Sequence, residues 1–137
     1  MNIDSNSVVR AYLITKTDLT DLVSERIFCP RLPENTTLPA VSFFTRGGVS
    51  NPYIAKIVNP SIQFDCWDDN PIGAREVYNA LFGSLQGIQM TDVVVGATTY
   101  TIHSAIEEVQ GQDLVDELVP NYFRTLTFYS FMIRVDV

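Results

Sequence analysis

The sequence predicts an α+β fold in which an antiparallel β-sheet packs against a central amphipathic helix, with a helical segment at the N-terminus. Three observations predict it: apolar residues at helical spacing near the start and again after Pro71, strict alternation from Ser61 to Trp67, and a final stretch from Tyr122 dense in aromatic and β-branched residues. Helices that come first and in the middle, with strands between and after them, give an α+β layout.

Between Ser7 and Ile14, Val8, Ala11, Tyr12 and Leu13 recur at helical spacing behind a Ser cap. Thr17 to Val23 predicts a further turn or two, with Leu19, Leu22 and Val23 inward. Arg26 to Phe28 is short and β-like, and Pro33 and Pro39 bracket a stretch with loop chemistry. Ala40 to Thr45 reads as a strand. Arg46 to Pro52, with Gly47 and Gly48, is expected to end it, and Ile54 to Val58 to return as a ragged second strand, which makes a projecting hairpin arm.

Ser61 to Trp67 places Ile62, Phe64 and Cys66 on one side and Ser61, Gln63 and Asp65 on the other. One face of that strand meets a core. Asp68-Asp69-Asn70-Pro71 then supplies a cap, negative charge at the positive helix end and a proline at the first helical position. Ala74, Val77, Tyr78, Leu81 and Leu85 form the stripe of that helix, which ends near Gln86-Gly87. Thr91 to Val95 and Thr98 to Val109 predict a hairpin about Gly96-Ala97, with Tyr100, Ile102 and Ile106 sharing a side. Gln110 to Pro120 reads as an acidic connection to the terminal strand.

The 137 residues fit one domain spanning the whole chain, and a domain of this size buries roughly two-thirds of the surface its unfolded chain exposes. Nine basic residues against sixteen acidic ones give a net charge of -7, which disfavours a sequence-independent grip on phosphates. The first residues lack a basic, then apolar, signal, and no apolar stretch is long enough to cross a bilayer, so a soluble chain made in the cytoplasm is expected, with no membrane partner. Cys29 and Cys66 lack metal-ligand or redox spacing and are expected to be buried and free.

Catalysis finds little support. Cys66 and His103 are the one thiol–imidazole pair the sequence offers, yet Cys66 alternates with the apolar set and His103 with Thr99, Thr101 and Glu107. Asp65, Asp68 and Asp69 lack the alternating ligands of a calcium loop, and capping accounts for Asp68 to Asn70. Gly47-Gly48 is followed by no phosphate-binding helix. The expectation is therefore no catalytic residue, no metal and no cofactor.

The last strand carries apolar residues on both sides: Phe123, Tyr129, Phe131, Ile133 and Val135 on one, and Tyr122, Leu126, Phe128 and Met132 on the other. The Pro71 helix can cover part of the second side, and a neighbouring subunit can cover it as well; the two readings are compatible.

A helix ending near Leu19 to Val23, then Ser24-Glu25-Arg26-Ile27-Phe28, Leu38-Pro39-Ala40-Val41-Ser42-Phe43, Ile62-Gln63-Phe64-Asp65-Cys66-Trp67 and Tyr122-Phe123-Arg124 follow in an order that covers nearly the whole chain. In this order they resemble the tail-completion or tail-terminator family of long-tailed bacteriophages and their prophages. Glu25 departs from the pattern, which has a glycine there.

The resemblance implies a virion protein of the tail or neck, a homo-oligomer forming a ring of six copies. Such a ring caps the tail tube protein at its head-proximal end, docks to the head–tail connector or stopper, and lets DNA pass through its lumen without specific binding. Arg46, Val49, Tyr53, Ile54 and Lys56 on the arm, with Tyr122, Leu126, Phe128 and Met132 on the terminal strand, are the expected subunit or tube contacts. The Gln110 to Pro120 loop is a further candidate. A head-side stopper or adaptor is the alternative within the same class, and a small ligand-binding module or enzyme the alternative outside it.

Overall fold

The computed structural model describes residues 4–50, 56–115 and 122–136. In chain order these form α1 (Ser5–Leu13), α2 (Thr17–Val23), β1 (Ile27–Phe28), β2 (Ala40–Ser50), β3 (Ile57–Asp68), α3 (Pro71–Leu85), β4 (Gln89–Val95), β5 (Thr98–Val115) and β6 (Phe123–Asp136). The strands make one sheet in the order β1-β2-β3-β6-β5-β4. The fold is α+β as expected. Its sheet is mixed, because β1 pairs parallel to β2 whereas every other neighbour is antiparallel.

One face of the sheet meets the helices. Val41 and Phe43 of β2, Ile62, Phe64 and Cys66 of β3, Ile102 and Ala105 of β5, and Tyr129, Phe131 and Ile133 of β6 join the buried sides of α1, α2 and α3 in one core. Phe64 is its aromatic centre, with ring centroids 5.6 Å from Phe43, 5.8 Å edge-on from Tyr129 and 6.3 Å from Phe131. Tyr12 Oη ties α1 to the end of α3 by donating to the Ser84 carbonyl at 2.5 Å.

The α3 helix forms where its sequence says it should. Asn70 is the N-cap, its side-chain oxygen accepting from Gly73 N at 2.6 Å, Pro71 opens the first turn, and the predicted apolar stripe is buried throughout. The α1 helix differs: Asp4, not a serine, is the cap, accepting from Ser7 N at 3.2 Å and from Ser7 Oγ at 2.6 Å. A carboxylate is the stronger acceptor for the unpaired amides of a helix start, so the helix begins two residues earlier. After α2, Ser24, the residue before Glu25, takes φ 54° and turns the chain toward β1.

Three strands run further than their composition implies. β2 does not stop at Arg46. It passes through Gly47 and Gly48, at φ 109° and 133°, with a register shift between Thr45 and Gly48, and continues to Ser50. A side chain at Gly48 would run into the backbone of Asn59, Pro60 and Ser61 on β3, so only glycine keeps the two strands paired there. The expected ragged strand and the Ser61–Trp67 strand are one continuous β3, and the expected strand start at Ile54 lies outside the described residues. The first half of the acidic connection is β5 itself, which reaches Val115.

β5 also changes face along its length. Register shifts fall between Ile102 and Ser104, Glu107 and Val109, and Val109 and Gln112. After the first, Ala105 is buried and Ile106 is exposed, so Ile106 does not share a side with Ile102. A bulge inserts one residue and reverses the alternation beyond it.

Candidate assembly interface

All three helices pack on the face that carries the odd-numbered residues of β6, so the even-numbered residues have no helix over them. α3 therefore does not cover the second apolar side. That outer face carries Tyr122, Leu126 and Phe128, all half-buried, and Met132, which is 37% exposed. Trp67 of β3 lies opposite Arg124, and the exposed Ile106 and Val109 of β5 lie opposite Ser130 and Phe128. The outer face thus mixes half-buried aromatics with polar groups, among them Ser61, whose Oγ donates to Glu108 Oε1 at 2.7 Å, and no helix covers it among the described residues.

Cations stack on these rings. The Arg46 guanidinium sits 4.2 Å from the centre of the Phe128 ring, bridging the base of the β2–β3 arm to β6 across β3. Arg124 lies 5.4 Å from the Trp67 ring, which meets Tyr122 edge-on at 6.1 Å and donates from Nε1 to Ser42 Oγ at 2.9 Å. Arg124 Nη1 donates to Asp65 Oδ1 at 3.3 Å, while its Nε is buried without a partner. Asp65 is buried on this face, where Gln63 Nε2 also donates to its Oδ2 at 3.3 Å. Burial raises its pKa above the ordinary carboxylate value, and Arg124 opposes the rise only in part.

Of the expected contacts, the structure brings Arg46 and Phe128 together and places Tyr122, Leu126 and Met132 on the same outer face. Val49 is 73% exposed on β2, and Lys56 is exposed at the start of β3, where its carbonyl accepts from Val135 N at 3.1 Å. Tyr53 and Ile54 lie outside the described residues, as do residues 116–121 of the acidic loop. Trp67, Arg124 and Asp65 were not singled out from sequence as interface residues. The available signal was a tryptophan two positions beyond Asp65, in phase with the polar side of β3.

The thiol and the imidazole do not meet. Cys66 is level with Thr125 of β6 and His103 with the Met132–Ile133 step, so the stretch from Thr125 to Met132, about 23 Å of strand, lies between them. Cys66 is buried, and its burial, then the nearby Asp65 charge, raise its pKa far from thiolate chemistry. One expectation changes here: Cys29 is exposed rather than buried. His103, at a bulge, has a buried Nε2 with no partner among the described residues.

Behind α3 the sheet's inner face turns polar. Tyr78 Oη donates to Glu107 Oε2 at 2.6 Å and accepts from Gly111 N at 3.2 Å, while Thr127 Oγ1 donates to the same carboxylate oxygen at 2.8 Å. These bonds fasten the end of β5 to α3. Beside them runs an open groove between the outward side of α3 and β5, with two adjoining cavities of about 390 and 380 Å³. Among the described residues no group of three potential metal ligands comes together, and no helix is long and apolar enough to cross a membrane.

Several solved chains share this fold, and one of them matches from end to end. It belongs to the virion of a native gene transfer agent particle, superposes with a TM-score of 0.66 at 14% identity, and the match covers 97% of this chain and 99% of that one. At that identity the likeness is one of fold. No protein-family model and no curated protein sequence matches the chain.

Proposed function

We propose that this chain is a structural virion subunit, one domain throughout, that forms a ring closing the head-proximal end of a phage tail tube. The ring ends tube growth, joins the tail to the head-side connector and leaves a lumen through which DNA passes. The observation that carries this reading is the outer face of the sheet, where Trp67, Tyr122, Phe128 and Met132 have no helix over them among the described residues. A subunit in a ring hides such a face against its neighbours, whereas a monomer would leave it in water.

Three further facts support the reading. The fold is shared over the full length of both chains with a virion component, and the order of sequence motifs resembles the tail-terminator family. The net charge of -7 suits a channel in which DNA slides, because an acidic wall does not hold phosphates. Electron microscopy of the purified protein, alone and mixed with tail tubes of its own particle, tests the proposal. Rings, or caps at one end of the tubes, are expected; a protein that stays monomeric and leaves tube ends bare would defeat it.

A further inference from the structure

Two charged side chains on the outer face are carried by β-bulges. Arg46 falls in the register shift between Thr45 and Gly48 of β2, and Glu108 in the shift between Glu107 and Val109 of β5. A bulge frees its residue from the ladder and re-aims the side chain. Both side chains here reach over a neighbouring strand. Arg46 crosses β3, a span of two strand spacings or about 10 Å, to stack on the Phe128 ring of β6 at 4.2 Å. Glu108 comes from the other side, crosses β6 and accepts from Ser61 Oγ of β3 through Oε1 at 2.7 Å.

They converge on the middle of the face. Phe128 is level with Gln63 of β3 and Val109 of β5, and Ser61, the next outward residue along β3, is level with Ser130. Of the apolar side chains there, Ile106, Val109 and Met132 are exposed, whereas the Phe128 ring, under the Arg46 guanidinium, is half-buried.

Arg46 is held less firmly than Arg124. Arg124 combines its contact to the Trp67 ring with an ion pair to Asp65. Among the described residues Arg46 has the ring contact and no carboxylate within ion-pair distance, and a side chain added at the adjoining Gly47 would meet open space, so the bulge has room to shift. An exposed cation–ring contact is weak enough for a surface that buries the ring to displace it.

Resting on the ring reading above, we infer that Arg46 is a displaceable cover on Phe128: in the free subunit it shields the ring from other copies, and it swings off when the neighbouring copy docks on the outer face. Charged side chains protect exposed sheet edges from pairing with further chains, and here the same device guards a face. Arg46 then opposes association, the reverse of what a contact residue does.

The test is Arg46→Ala on the full chain. It removes one of nine basic residues from a chain of net charge -7, so general repulsion between copies grows. A gain in association therefore runs against charge. Circular dichroism checks the fold, an apolar fluorescent dye reads the uncovered ring, and sedimentation and electron microscopy, with and without tail tubes, read assembly. The variant should bind more dye and assemble at about two- to fivefold lower concentration, the factor an exposed cation–ring contact is worth. Phe128→Leu removes the ring but keeps apolar area, so adding Arg46→Ala to it should change neither readout. An Arg46→Ala variant that assembles no better than the unaltered protein, or a gain that persists in the Phe128→Leu background, overturns the cover while leaving the ring standing. If neither the unaltered protein nor the variant forms rings or caps tubes, both readings are defeated.

Discussion

Arg124 Nη1 meets Asp65 Oδ1 at 3.3 Å on the outer face of the sheet, and the carboxylate it meets is almost fully buried. Burial outweighs the guanidinium, so the folded pKa of Asp65 lies above its unfolded value of about 3.9. Between those two values the folded chain binds the extra proton, so this carboxyl's stabilising contribution is complete below the unfolded pKa and is lost as pH rises through the folded one. Urea unfolding of the protein and of Asp65→Asn between pH 4 and 7 isolates the effect. The stability difference, unaltered minus variant, should fall as pH rises; a flat or rising difference would show that Arg124 fully compensates burial.

The β2–β3 pairing depends on Gly48 more than on Gly47. Both have positive φ, so alanine at either costs about 1–3 kcal/mol in backbone strain. At Gly47 the added methyl meets open space, whereas at Gly48 it meets the backbone of β3. Chemical denaturation should therefore find Gly48→Ala clearly more destabilising than Gly47→Ala. Equal losses would mean that β3 moves aside without cost.

The same glycines show where the sequence stops being legible. The α3 helix could be read completely, because cap, proline and stripe are local signals that agree. The alternation of β3 gave its buried face for the same reason, and the odd-numbered residues of β6 are likewise the inward set. What composition hid were the bulges. Gly47-Gly48 looks like a terminator because glycine is poor in strands, yet here it lets β2 kink and continue. In β5 the shifts at His103 and Glu108 move Ile106 and Val109 outward, and no local pattern announces an inserted residue. The apolar outer face was legible in the doubly apolar β6, but the places of Trp67 and Asp65 on it depend on pairing with a strand some sixty residues away.

The two thiols should differ sharply in reactivity. Cys66 is buried beneath α3, while Cys29 is exposed, although burial and the Asp4 charge raise its pKa too. Alkylation of the native protein, followed by intact mass measurement, should modify Cys29 slowly and leave Cys66 untouched. Both should react in denaturant. Native labelling of Cys66 at a comparable rate would show that the core opens around β3 far more often than its packing implies.

On the proposed ring reading the two faces of the sheet should respond oppositely to substitution, and paired variants separate them. Phe64→Ala empties the centre of the aromatic cluster and should cost about 3–5 kcal/mol of stability, as large core truncations do. Leu126→Ser with Met132→Ser acts on half-exposed positions of the outer face and should change monomer stability by only about 1 kcal/mol or less. Assembly should show the reverse order of sensitivity for the outer-face variant: a folded, soluble chain that forms few rings and caps few tubes. If that variant assembles as well as the unaltered protein, the apolar outer face is not buried between copies.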